Sequence, residues 1–316
     1  MEKVIKIEGG HDLNGTVRIR GSKNATVALI PACVLGNEPV TIYGVPNISD
    51  VQSLIVLLNE LGVYVEKRDE ETLYIDPTHK ENIPLVSKAV SKLRASYYFM
   101  GALLGKFGHA EIKMPGGCYL GPRPIDLHLK GFEALGANIQ YENGCYILDA
   151  KELKGTNIFL DISSVGATIN IMMAAVYAKG RTVIENAARE PEIIDIATLL
   201  NKMGARIHGM GTSTLVIDGV EYLKGCIHEI IPDRIEAATY VIMAAAMAND
   251  MRIENIIPQH LEAIVMKLQE VGINMEVGSD FIHVFKTDKP LKRTDRKSTR
   301  LNSSHITISY AVFCLK

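Results

Sequence analysis

No cysteine pair stands in C-x-x-C spacing, no histidines form H-x-H or H-E-x-x-H, and no apolar run reaches membrane-spanning length. The five cysteines, Cys33, Cys118, Cys145, Cys226 and Cys314, are odd in number and scattered. That excludes a disulfide framework and a zinc site of ordinary spacing, so no metal and no cofactor is expected. The most apolar stretches, such as Ile169–Ala178 and Tyr240–Ala248, fall well short of the roughly 20 residues of a membrane span. The N-terminus, Met1-Glu2-Lys3-Val4-Ile5-Lys6-Ile7-Glu8, alternates like a strand and lacks a signal peptide's apolar core. Net charge is small as well, −2, which leaves no general field to gather nucleic acid or an anionic membrane. Small anionic substrates are compatible, since they need only local positive charge. The rest is ordinary globular composition: 316 residues, 47% hydrophobic and 22% charged, long enough for two domains of a soluble cytoplasmic protein. The oligomeric state does not follow from it.

An internal repeat dominates the chain. Four segments read apolar helix, strand, turn, amphipathic helix ending in a Leu-Gly-like pair, then a hairpin. The pairs are Leu61-Gly62, Leu135-Gly136, Met203-Gly204 and Val271-Gly272, with glycines 74, 68 and 68 residues apart. Each suits the left-handed residue that closes a helix. An alternating strand follows every pair, beginning at Val63, Ala137, Ala205 and Ile273, and a second at Thr72–Ile75, Cys145–Leu148, Thr214–Ile217 and Phe281–Val284. The first helix of each copy, as in Ala25–Leu35 and Ala237–Ala248, is apolar nearly all round, which predicts burial on all sides. The expected architecture is α/β, with repeated units whose helices fill the centre.

Alignment of the copies puts Lys23, Arg94, Val165 and Arg234 at one repeat position, 71, 71 and 69 residues apart, near the starts of the inner helices. Free N–H groups and the helix dipole favour anions there, and a cation is mildly unfavourable for the helix itself. Three basic residues of four therefore suggest a bound anion; the alternative is a set of solvated surface cations.

Copy two departs from its siblings at Pro115-Gly116-Gly117-Cys118-Tyr119-Leu120-Gly121-Pro122-Arg123-Pro124. Three glycines and three prolines preclude regular structure, so the segment is expected as a mobile loop over a site. Cys118 should be exposed there, and Arg123 and Lys113 would favour its thiolate. Cys33, Cys145 and Cys226 are read as packing cysteines.

Six motifs occur in order: Gly21-Ser22-Lys23-Asn24-Ala25, Leu93-Arg94-Ala95-Ser96, Pro115-Gly116-Gly117-Cys118 with Arg123-Pro124-Ile125-Asp126-Leu127-His128, Ser164-Val165-Gly166-Ala167-Thr168, Glu185–Glu192 and Pro232-Asp233-Arg234-Ile235-Glu236. Together they resemble the UDP-N-acetylglucosamine 1-carboxyvinyltransferase family, from about residue 3 to about 295. The resemblance implies an inside-out α/β barrel of six units in two domains, four units being present here, with the active site in the cleft between domains.

It also implies a reaction: transfer of the enolpyruvyl group of phosphoenolpyruvate to the 3′-hydroxyl of UDP-N-acetylglucosamine, with release of phosphate, in peptidoglycan synthesis. Carried over by position, Cys118 is the acid that protonates C3, can add covalently to phosphoenolpyruvate and is the atom fosfomycin alkylates. A thiol suits that role because its pKa can be tuned towards neutrality. Lys23, Arg94 and Arg123 would neutralise the phosphate and carboxylate, and Asn24 would help position the substrates. Arg123-Pro124-Ile125-Asp126-Leu127 and Ser164-Val165-Gly166 would line the uridine-diphosphate site. Where some members carry a Lys two residues before Ser164, this chain has Ile162.

A further repeat step from Arg234 should open a fifth inner helix near residue 304, where the family has Pro-Thr-Asp-x-Gln. The chain reads Arg296-Lys297-Ser298-Thr299-Arg300 and onward to Lys316 instead, matching neither repeat nor family. Residues 296–316 are read as a frameshift or assembly artefact, and the chain as drawn is expected not to turn over. The resemblance further implies two domains, 22–231, complete with three units, and 1–21 plus 232–295, partial and expected to be underpacked at Ala237–Ala248. Rival readings are the sister transferase of the shikimate pathway, which lacks the Pro-Gly-Gly-Cys loop, a substrate-binding fragment without turnover, and a purely structural repeat protein.

Overall fold

The computed structural model describes residues 4–114, 116, 124–287 and 290–292. After β1 (Leu13–Arg18), the first unit comprises α1 (Lys23–Ala32), β2 (Val40–Tyr43), α2 (Ser49–Glu60), β3 (Tyr64–Lys67) and β4 (Leu73–Asp76). The second has α3 (Lys88–Lys92), a 3-10 turn (Arg94–Tyr97), α4 (Tyr98–Phe107), β5 (His109–Lys113), α5 (Asp126–Ala134), β6 (Asn138–Glu142) and β7 (Cys145–Asp149). The third runs β8 (Asn157–Phe159), α6 (Val165–Ala175), β9 (Arg181–Glu185), α7 (Pro191–Met203), β10 (Arg206–His208) and β11 (Thr214–Asp218). The last has β12 (Cys226–Glu229), α8 (Arg234–Met247), β13 (Ala248–Glu254), α9 (Glu262–Val271), β14 (Asn274–Val277) and β15 (Phe281–Phe285).

The repeat is thus realised element by element. Gly62, Gly136, Gly204 and Gly272 all have positive φ, +74° to +111°. Only a residue without Cβ adopts that conformation freely, so each ends its outer helix where the pattern predicts.

Three sheets share one plan: an antiparallel hairpin, the unit's own central strand, and a parallel edge strand, in the orders β12-β2-β4-β3, β10-β11-β9-β8 and β1-β13-β15-β14. The second unit has the three-stranded sheet β5-β7-β6, and a parallel bridge from Leu85 to Ile112 takes the edge position. The edge strands exchange owners. β1 precedes α1 in the chain yet pairs with β13, and β12 precedes α8 yet pairs with β2.

Two hydrophobic cores result. One gathers residues from Ala25 to Ile230; the other combines Ile19 with residues from Ala237 to Val284. In the first, α1, α4 and α6 are buried over Ala25–Ala32, Tyr98–Leu104 and Ala167–Ala175. α4 and α6 touch at backbone distance: a Cβ on Gly101 would lie 2.3 Å from the Asn170 carbonyl oxygen, and one on Gly105 2.7 Å from that of Met173.

The far ends of these helices converge on Lys106. Its Nζ donates to Leu35 O (3.2 Å), Asn37 Oδ1 (2.6 Å) and the Tyr177 hydroxyl (3.2 Å), and that hydroxyl donates to Leu35 O (2.7 Å). A cation suits a place where helix C-termini gather. Burial, and secondarily the Lys80 ammonium, push the Lys106 pKa down to about 8.

α8 departs from the all-round burial expected of an inner helix. It buries only Ala237, Val241 and Ala244, and Ile235 and Met247 are 49% and 59% exposed. Its siblings pack against one another, whereas among the described residues α8 packs mainly against β13, β15 and the 3-10 turn Pro258–Leu261.

Candidate functional site

All four repeat-equivalent residues begin a helical element: Lys23 opens α1, Arg94 the 3-10 turn before α4, Val165 opens α6 and Arg234 α8. The residue before three of them is the cap. Ser22 Oγ accepts from Ala25 N, Ser164 Oγ from Ala167 N, and Asp233 Oδ1 from Ile235 N and Glu236 N. Capping at this point satisfies N–H groups that the helix itself leaves open.

Lys23 is exposed and its Nζ lies 3.1 Å from Asp50 Oδ2 on α2. Asn24 beside it is exposed as well. At this point the chain crosses between the two cores, where Gly21 and Pro232 form an antiparallel bridge. Ser22 N donates to Ile231 O (2.8 Å) and Asp233 N to Arg20 O (2.9 Å). The Asp233 carboxylate also accepts from Lys23 N at 3.0 Å. Arg234 Nε faces Glu192 Oε1 at 3.4 Å, a carboxylate only 3% exposed. Behind it, His228 Nε2 meets Asp195 Oδ1 at 2.9 Å, both buried.

Arg94, half-buried, stacks its guanidinium 5.9 Å from the Tyr97 ring centroid. Tyr97 in turn meets His128 edge-on at 4.9 Å. A Cβ on Gly166 would stand 2.9 Å from the Tyr97 hydroxyl and 3.2 Å from His128 Nε2. The structure therefore brings Arg94 and the Ser164-Val165-Gly166 turn to one place, joined by Tyr97 and His128. Of the other expected residues, Pro124 and Asp126 are exposed and Ile125 and Leu127 half-buried; all four lead into or open α5. Cys118 and Arg123 lie outside the described residues. Ile162 is 71% exposed, an apolar side chain where some members of the resembling family have a Lys.

Sequence reasoning passed over Tyr97, Asn170 and Asp233 as site residues, and quoted His128 only as the end of a motif. Asn170 had a signal, being a lone amide in the apolar run Ile169-Asn170-Ile171. Of the cysteines taken as packing residues, Cys33 is fully buried, and burial raises its pKa well above the ordinary value. Cys145 and Cys226 are only partly covered: Cys145 is the first residue of the central strand β7 and Cys226 the first of the edge strand β12. Two shallow depressions mark the described surface, one at the Arg234 end of the site, lined by Pro232, Asp233, Arg234 and His260, the other lined by Val45, Gln52 and Lys67.

Residues 7–311 match the profile of the EPSP synthase (3-phosphoshikimate 1-carboxyvinyltransferase) family. The chain belongs to this family of carboxyvinyl transferases. Within it, the chain is 58% identical over 298 residues to UDP-N-acetylglucosamine 1-carboxyvinyltransferase 2 of Bacillus cereus, covering 94% of this chain and 69% of that protein. To the enzyme of the same name from Listeria monocytogenes serotype 4b it is 58% identical over 292 residues, 92% of this chain and 69% of that one. Among solved structures, the enolpyruvyl transferase NikO from Streptomyces tendae superposes with a TM-score of 0.81 at 25% identity, covering 90% of this chain and 69% of that one. EPSP synthase from Acinetobacter baumannii superposes at 0.70 with 18% identity, covering 88% and 65%. The fold is that of the enolpyruvyl transferases. The family match runs past Asp295, where the sequence reading ended the resemblance.

Proposed function

We propose that this chain carries the enolpyruvyl transfer from phosphoenolpyruvate to the 3′-hydroxyl of UDP-N-acetylglucosamine, releasing phosphate, in the cytoplasmic stage of peptidoglycan synthesis. The observation that carries the reading is 58% identity over 94% of the chain to enzymes named for that acceptor. The sister reaction on a shikimate acceptor shares the fold, but the solved EPSP synthase is only 18% identical.

In this reading Lys23, Arg94 and Arg123 hold the anionic groups of the substrates, and Asn24, beside Lys23, helps to position them. The cation at the start of α1 is already paired with Asp50, so an entering phosphate exchanges one anionic partner for another. Pro124, Ile125, Asp126 and Leu127 with Ser164, Val165 and Gly166 line the uridine-diphosphate site. Free N–H groups at the α6 N-terminus favour a diphosphate there. Cys118 supplies the proton to C3. Residues 22–231 act as one domain, and 1–21 with 232–295 belong to the second; the two separate cores support this division.

Phosphate release in the presence of phosphoenolpyruvate and either acceptor tests the assignment. Fosfomycin labelling confined to Cys118 is the expected result for the unaltered chain, and any phosphate release should depend on UDP-N-acetylglucosamine. Release with a shikimate acceptor instead would reassign the chain. Binding of UDP-N-acetylglucosamine without release would make it a substrate-binding chain.

A further inference from the structure

We infer that Asn170 is a positioning residue for the sugar-nucleotide site: it fixes the His128 imidazole as the neutral tautomer with its proton on Nε2, turned towards the first turn of α6. This rests on the substrate reading above for its use, but not for its geometry.

The hydrogen bonds leave little freedom. Asn170 Oδ1 accepts from Gly101 N at 2.9 Å. A main-chain N–H only donates, so the atom facing it is the amide oxygen. Nδ2 then donates to Tyr97 O at 3.0 Å, and a carbonyl only accepts. The remaining amide proton points at His128 Nδ1, 2.9 Å away. That nitrogen must offer a lone pair, so the ring's proton sits on Nε2. An imidazolium would set N–H against N–H.

Other forces act the same way. Burial, with the Arg94 charge second, pushes the His128 pKa down to about 4; Asp126 opposes them. The groups facing the ring are Arg94 and Tyr97 from the 3-10 turn, Asp126 from its own helix and the Asn170 amide from α6. Nε2 and Cε1 would lie 3.2 and 3.1 Å from a Cβ on Gly166, so the protonated edge of the ring rests against the backbone of the α6 start.

One buried amide thereby joins three elements. It holds Tyr97, the last residue of the turn that Arg94 opens, and it satisfies an N–H in the first turn of α4. It also makes His128 a donor of constant protonation. A neutral N–H beside a guanidinium suits an acceptor oxygen of the sugar nucleotide, and it does not switch with pH near neutrality. Nδ1, engaged by Asn170, does not serve as a base.

Long-range 1H–15N spectra of the histidine rings, with the His128 signals assigned by their loss in His128→Gln, test this on the unaltered chain. The Nε2–H pattern should persist from about pH 8 to about pH 5. A proton on Nδ1, or titration close to the free value of about 6.5, overturns the inference. Asn170→Asp keeps the Gly101 contact, turns its second oxygen to Nδ1 and gives up the donation to Tyr97 O. Its ring should be doubly protonated at neutral pH, and UDP-N-acetylglucosamine binding by calorimetry should weaken about fivefold and become pH-dependent. Unchanged affinity at every pH, with the ring protonated, overturns the positioning role. If the unaltered ring behaves as inferred but UDP-N-acetylglucosamine does not bind, the ring assignment stands and the substrate reading falls.

Discussion

Asp233 Oδ2 accepts the Lys23 main-chain N–H at 3.0 Å, while Oδ1 of the same carboxylate caps the first turn of α8 through Ile235 and Glu236. One side chain thus ties the helix start that presents Lys23 to a helix in the other core.

Asp233→Ala removes a cap and a bridge together. Loss of a cap alone costs about 1 kcal/mol, and leaving Lys23 N without its acceptor adds a comparable amount. Urea denaturation should show a loss of about 2 kcal/mol, with Asp233→Asn retaining part of it. A change below about 0.5 kcal/mol, the range of ordinary surface substitutions, would refute the tie.

Lys23→Ala should separate stability from binding. The ion pair with Asp50 has a lysine side chain 56% exposed, and exposed pairs contribute little. Thermal denaturation should therefore barely move. Affinity for phosphoenolpyruvate, followed by calorimetry, should fall by an order of magnitude or more, about the worth of a charge-assisted hydrogen bond. An intact affinity would remove Lys23 from the site.

Close helix contact makes α4 intolerant of side chains. Gly101→Ala and Gly105→Ala each place a methyl against α6 backbone, and backbone yields less readily than a flexible side-chain end. Overpacking of this kind costs about 1–3 kcal/mol. Helix propensity alone would make both substitutions stabilising, so a gain, or no loss, in either would argue against the contact.

Lys106 predicts a pH effect. Its folded pKa of about 8 lies below the ordinary 10.5. Between those values the unfolded chain binds a proton that the folded chain lacks, so this residue makes stability rise with pH across that window. Below it, both states are protonated and the cost of burying the charge is fully present. A carbon-13 titration of the lysine side chains should give a midpoint near 8 for Lys106, and Lys80→Met should raise it by removing the neighbouring charge. An ordinary midpoint in both proteins would contradict the burial argument.

Much of this was legible before any coordinates. Helix-closing glycines, alternating strands and the Lys23, Arg94, Val165, Arg234 series depend on local chemistry, and a fourfold internal repeat lets each copy check the others. The strand exchange was not legible as such: nothing in Leu13–Arg18 itself says that its partner is β13, since pairing partners are chosen by shape at long range. His128 and Asn170 were missed for a related reason. Asn170 looks like a lone amide in an apolar helix and His128 like one polar residue among several in α5, and only the crossing of α4, α5 and α6 turns them into a network.

Strand exchange has a consequence for synthesis on the ribosome. Leu13 pairs with Ala248, so the first strand made waits for one that emerges 248 − 13 = 235 residues later. At about 5–20 residues per second the delay is on the order of ten seconds or more. For that time an open edge is exposed with no sheet to join, a natural binding site for chaperones and a natural seed for misassembly.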